Sequence, residues 1–207
     1  PSTHPSQPAS VERNMVLLPE KSPVTEVVPT GEEIAKAAFP SVGTKYTYQI
    51  VTEKDSYKRS FVVIEDGIFE GREVHRVLIL GRSEMIIYDK ESKNWIGKIF
   101  DGGLVKGAKT HEDLYRFPLF VGKKYKSEYF LKSKVMDGNI SRTVVVKSFE
   151  NVTVPAGTFK AFKIIAKRKG LKDIYWYSPE LKLYTKRITK HHRAGESTRE
   201  LIKYAKP

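Results

Sequence analysis

The chain has 207 residues, a net charge of +13 and no cysteine, so neither disulfides nor thiol chemistry enter. Its hydrophobic content of 40% supports a folded core, and no run reaches the roughly 18 apolar residues of a membrane-spanning helix. The charge is uneven: residues 1–30 carry −1, residues 31–116 are neutral and residues 117–207 carry +14, which points to an anionic partner or surface on the second half.

Residues 1–29 are rich in Pro, Ser and Thr and lack hydrophobic periodicity. They are expected to form a flexible tether. The chain starts at Pro1, and a tether at a processed N-terminus suits an exported or lipid-anchored protein. The alternative is a disordered tail on a cytosolic protein. "TGEEIAKAAFP" from Thr30 predicts a short helix: the Thr hydroxyl caps the first free amides, Glu33 suits the N-terminal dipole, and Phe39-Pro40 ends it. Short runs rich in Val, Ile, Tyr and Phe then predict strands at 45–52, 58–65, 73–80, 84–88 and 95–100. "DGG" at 101–103 is expected to be a turn.

The pattern then restarts. "THEDLYRFP" from Thr110 predicts a second capped helix, ending at Phe117-Pro118. Strands are expected at 123–133, 141–149, 158–168, 172–178, 182–190 and near 198–204. Between the second and third of these, "VPAGTF" predicts a hairpin turn, with Pro155 presetting φ and Gly157 taking a positive φ. Gly71 in "IFEGRE" occupies the matching position of the first half.

These parallels define an internal duplication, 30–109 and 110–207, within one β domain at 30–207. Spacing this tight favours antiparallel hairpins over crossovers. The expected fold is mainly β: a strongly curved antiparallel sheet or open barrel built from two duplicated halves, each with a short N-terminal helix. The halves form either one continuous sheet or two packed units.

Three stretches, "FPLFVGKKYKSEY", "ENVTVPAGTFKAFKI" and "IYWYSPELKLYTKR", resemble in that order the TapB-like family of bacterial envelope proteins of unknown function, over roughly residues 110–190. The first half departs from the pattern: "FEGREV" replaces "PAGTF", and no Ser-Pro follows Tyr88. The resemblance implies a curved sheet akin to the open barrels of LolA-like lipoprotein carriers, exported or lipid-anchored. It supplies no catalytic residues.

Reactive constellations are sparse. The only histidine cluster, His191-His192, points to opposite faces if it lies on a strand, and no metal-ligand spacing accompanies it. Ser178 in "YSPE" suits a turn better than a nucleophile paired with His191 or His192. "HED" at 111–113 suits a helix start better than an acid/base cluster. No catalytic residue, metal site or cofactor is assigned.

The strongest surface candidate mixes aromatic and basic residues: Tyr125, Phe162, Tyr175, Trp176, Tyr177 and Tyr184 with Lys163, Lys167, Lys186 and Arg187. Such a mixture suits a lipid or an anionic envelope polymer, with nucleic acid disfavoured. The plainer alternative makes the aromatics core and the lysines a solvated face. The expected function is a non-enzymatic envelope protein, exported and periplasmic or envelope-anchored, whose curved sheet binds an apolar, amphipathic or anionic ligand or an envelope partner. The alternative is a structural subunit that pairs through its sheet edges or through residues 1–29.

Overall fold

The computed structural model describes residues 34–109, 111–133 and 137–207. The expected tether and the first residues of the expected N-terminal helix lie outside them. The described residues form twelve antiparallel strands: β1 (Lys45–Thr52), β2 (Ser56–Phe69), β3 (Arg72–Ile79), β4 (Glu84–Asp89), β5 (Trp95–Phe100), β6 (Gly103–Ala108), β7 (Lys124–Ser133), β8 (Gly138–Val154), β9 (Gly157–Arg168), β10 (Leu171–Ser178), β11 (Leu183–His191) and β12 (Gly195–Ala205). Each strand pairs with its sequence neighbours, and β1 pairs with β12 to close a barrel. The sheet is therefore one closed ring rather than an open barrel or two packed halves. Closure pairs the backbone groups that two free edges would expose.

Alternation places one face inside. On β1, Tyr46, Tyr48 and Ile50 are buried while Lys45 and Val51 are exposed. Two-residue turns join several strands and use positive φ, as Glu70-Gly71 and Asp101-Gly102 do. β6 follows the second of these turns. Its "GLVKGA" has no alternating apolar run, and the sequence reading missed it.

No helix occurs among the described residues, which corrects the expectation of a capped helix from Thr110; the capped start of the first expected helix lies outside them. Residues 34–40 and 111–117 are irregular. Segments this short repay helix nucleation poorly, and tertiary partners satisfy their backbones instead. Ala35 and Leu119 exchange two backbone hydrogen bonds of 2.9 Å. The buried Asn94 side chain accepts from the N–H groups of Leu114 (3.0 Å) and Tyr115 (2.7 Å) and donates to the Tyr115 carbonyl (2.7 Å).

These two segments lead into β1 and β7 at the same end of the barrel. Ala35, Leu114 and Leu119 pack with the inward side chains Tyr125, Val144, Val146, Phe162 and Ile164. That end is plugged. Among the described residues, the connections at the opposite end are short turns. β8 and β9 extend beyond their neighbours, and their hairpin tip docks on β12, where the Ala156 N–H donates to the Leu201 carbonyl at 3.1 Å. Val152 and Val154 join Tyr46, Phe61, Val63 and Leu201 in a single apolar cluster.

Candidate functional site

Inside the ring, above the plug, lies a cavity of about 380 Å³. That size is ordinary for a small-molecule site. Eight tyrosines line it: Tyr46, Tyr48, Tyr88, Tyr115, Tyr129, Tyr175, Tyr177 and Tyr184. Tyr48 stacks on Tyr184 with ring centroids 4.8 Å apart, and its hydroxyl donates to the Tyr184 carbonyl at 2.5 Å. Tyr115 leans against Tyr177 at 5.0 Å, and Tyr175 meets Tyr184 edge-on at 6.1 Å. Burial raises the phenol pKa of Tyr46, Tyr48, Tyr88, Tyr115, Tyr175 and Tyr177, and pushes that of Tyr129 up to about 12. All seven are neutral hydrogen-bond donors near pH 7.

The wall also carries charge. Seven basic residues line the cavity against two acids, Glu112 and Asp173. Arg142, 6% exposed, pairs with Glu112 at 2.5 Å and donates to Ser127 Oγ at 3.3 Å. Arg187 reaches Asp173 Oδ1 through Nη2 at 2.8 Å and Nε at 3.1 Å, and Thr189 Oγ1 donates to the same oxygen at 2.6 Å. Burial opposes the charge on both guanidiniums. The attraction of Glu112 for Arg142, and of Asp173 for Arg187, opposes that effect, and both pKa values rise. Two buried polar atoms of the lining have no hydrogen-bond partner, Arg142 Nη2 and Tyr177 OH.

The sequence-predicted residues divide in two by strand alternation. Tyr175, Tyr177, Tyr184 and Arg187 line the cavity. Tyr125 and Phe162 also point inward but belong to the packed cluster at the plugged end. Trp176, Lys163 and Lys186 pair across β9, β10 and β11 on the outer face, alternating with Tyr175 and Tyr177. There the Trp176 Nε1–H donates to Glu150 at 2.8 Å, with the Lys163 and Lys186 ammonium groups 5.3 and 5.9 Å from its ring. Lys167 is exposed on the outer face beside inward Arg168.

Sequence reading passed over Tyr46, Tyr48, Tyr88, Tyr129, Arg142, Arg199 and Asp173 as lining residues. The signal present was alternation: "KYTY" puts Tyr46 and Tyr48 on one face, as "IYWYS" does Tyr175 and Tyr177. Arg142 and Arg199 looked like ordinary members of a basic half until closure turned their faces inward.

The histidine and serine candidates serve the backbone. Leu171 pairs with His191, whereas Ser178 pairs with Leu183 at the other end of β10, so serine and histidines stand about 20 Å apart. No nucleophile–base pair exists there. His191 Nδ1 accepts from the N–H groups of Arg193 and Ala194 in the following turn. In "HED", Glu112 and Asp113 form ion pairs with Arg142 and Arg116.

No family model matches the chain, and neither does any curated protein; the TapB-like resemblance thus stands on its motifs alone. Three solved structures are similar to parts of the chain. A Parabacteroides distasonis protein described as a candidate lipoprotein is 12% identical, covering 84% of this chain and 100% of its own, with a TM-score of 0.43. A Bacteroides fragilis protein described as a candidate exported protein with a YmcC-like fold is 13% identical, with coverages of 83% and 100% and a TM-score of 0.47. The hypothetical lipoprotein YmcC of Escherichia coli is 9% identical, with coverages of 78% and 85% and a TM-score of 0.45.

Proposed function

We propose that this protein is a non-enzymatic, exported envelope protein whose barrel binds a small apolar or amphipathic molecule in its interior. The observation that carries the reading is the cavity of about 380 Å³, walled by tyrosines and plugged at one end. Aromatic walls supply apolar contact area, and neutral phenols supply directional donors. The Pro- and Ser-rich composition of residues 1–29 supports a tether that holds the barrel near a surface. The two expected repeats contribute six strands each, and their leading segments meet at the Ala35–Leu119 bridge. This supports reading the barrel as a fused pair of half-barrels.

The structural-subunit alternative loses its open sheet edges, because each of the twelve strands has two neighbours. It would have to act through residues 1–29. The test of the ligand reading is native mass spectrometry of the purified protein together with titration of the uncharged dye Nile red. A co-purified small molecule, or saturable one-site dye binding displaced by decanol, is expected. A bare mass with no saturable dye binding would sink the proposal.

A further inference from the structure

The charges of the cavity are not balanced. Four arginines enter it from one side of the barrel: Arg142 on β8, Arg168 on β9, Arg187 on β11 and Arg199 on β12. The register makes them a continuous belt. Arg142 and Arg168 flank the Thr143–Lys167 pair, Arg168 pairs with Leu171 at the start of β10, and Arg187 pairs with Arg199. Among the described residues, only two acids line the cavity with them. Glu112 takes Arg142, and Asp173 takes Arg187. Arg168 and Arg199 have no ion pair among the described residues, and Arg142 Nη2 is buried without an acceptor.

Cross-strand placement of like charges costs stability, and a buried donor without a partner costs more. Such an arrangement is sustained when an anion completes it. A guanidinium fork matches a carboxylate or phosphate in shape as well as charge. Further into the barrel the wall changes to Tyr46, Tyr48, Phe61, Tyr177 and Tyr184, with no acid among them. The ligand chemistry is therefore polarised along the barrel axis.

We infer that the belt is an anion site, and that the ligand is an amphipathic anion whose acidic head lies between Arg142, Arg168 and Arg199 while its apolar body lies among the tyrosines. Arg187 and Asp173 hold the wall beneath it. Arg168 and Leu171 also border an outer depression lined by Lys167, Lys172 and Lys190, whose charge draws anions toward the turn end of the cavity. This inference rests on the ligand-binding reading of the same cavity and narrows its substrate class.

Calorimetric titration of the full chain at pH 7.5 with decanoate, decanol and inorganic phosphate separates the possibilities. Decanoate is expected to bind at least about tenfold more tightly than decanol, the size of one charge-assisted hydrogen bond, and inorganic phosphate far more weakly than decanoate. Arg168→Gln and Arg199→Gln, which break no ion pair among the described residues, are expected to weaken decanoate far more than decanol and so narrow the decanoate–decanol gap. Equal affinity for decanoate and decanol overturns the anion site and leaves the cavity reading standing. Phosphate binding as tight as decanoate binding overturns the amphiphile. Binding of none of the three overturns both readings. A gap that persists in both variants assigns the head group elsewhere and refutes the belt.

Discussion

At the scale of single residues, His75 shows how one side chain is held by its neighbours. Its ring stacks on Phe39 at 4.2 Å and nearly parallel, clamping the segment that enters β1. Nδ1 lies 2.8 Å from Asp66, and Nε2 lies 3.1 Å from the Lys93 ammonium. An ammonium can only donate, so Nε2 accepts, and the ring is neutral with its proton on Nδ1. Burial pulls the pKa of His75 below the usual histidine range; the bond to Asp66 pulls the other way, and the Lys93 charge adds to the lowering. The sign of the pH dependence follows. The unfolded chain takes up a proton near pH 6.5, while the folded chain resists until lower pH. Between those values the unfolded state binds more protons, so stability falls as pH drops. Asp66 is held below its ordinary value, so its contribution is lost only at lower pH. Unfolding free energy should decline from pH 7 toward pH 5.5, read as a falling melting temperature, with a His75 share below the one-proton limit of about 1.4 kcal/mol per pH unit. His75→Gln should flatten that decline; a variant with the wild-type slope would refute the assignment.

At the scale of elements, the β8–β9 hairpin is a connector between distant parts of the wall. Its strands have 17 and 12 residues, longer than the barrel needs, and the excess carries Val152, Val154 and Ala156 to β12. The turn depends on Gly157, whose φ of +138° is a region that residues with a side chain avoid. A Cβ there would lie 3.3 Å from the Phe159 ring. Gly157→Val should therefore destabilise the fold by about 1–3 kcal/mol, with Nile red affinity unchanged in the folded protein. An unaltered melting temperature would argue against this role. The irregular segment 111–123 is the complementary case. Its local sequence favours a capped helix, but Asn94, a single buried polar side chain, engages three backbone groups of residues 114 and 115 and fixes a non-helical path.

At the scale of the whole molecule, closure is the governing event. β1 pairs with β12 over residues 45–52 and 197–205, so the ring is completed by the last strand made. Contacts this far apart in sequence fold slowly, because loop closure precedes any reward from pairing. Removing residues 195–207 should leave β1 and β11 as open edges and expose the interior. Circular dichroism of that truncated chain should show no cooperative melt, and it should self-associate. A sharp, reversible transition would show that closure is dispensable.

Much of this architecture was legible in the linear chain. Period-two patterns such as "KYTYQI" and "FKAFKIIA" located most strands, since a half-buried strand must alternate. β6 escaped because "GLVKGA" holds two glycines and no alternating apolar run, and its Leu104 stays partly exposed, against Gly97 and Gly107. The candidate site was legible only in part. Alternation separates Tyr175 and Tyr177 from Trp176, but it does not say which set faces inward. That choice, together with the convergence of Arg142, Arg168, Arg187 and Arg199 from strands spread between residues 138 and 205, belongs to the closed ring. Local sequence determined strands, turns and the basic bias of the second half, because these depend on neighbouring residues. Tertiary structure alone decided the cavity, its charge imbalance and the loss of the helix expected after Thr110, because each arises from groups far apart in sequence meeting in one interior.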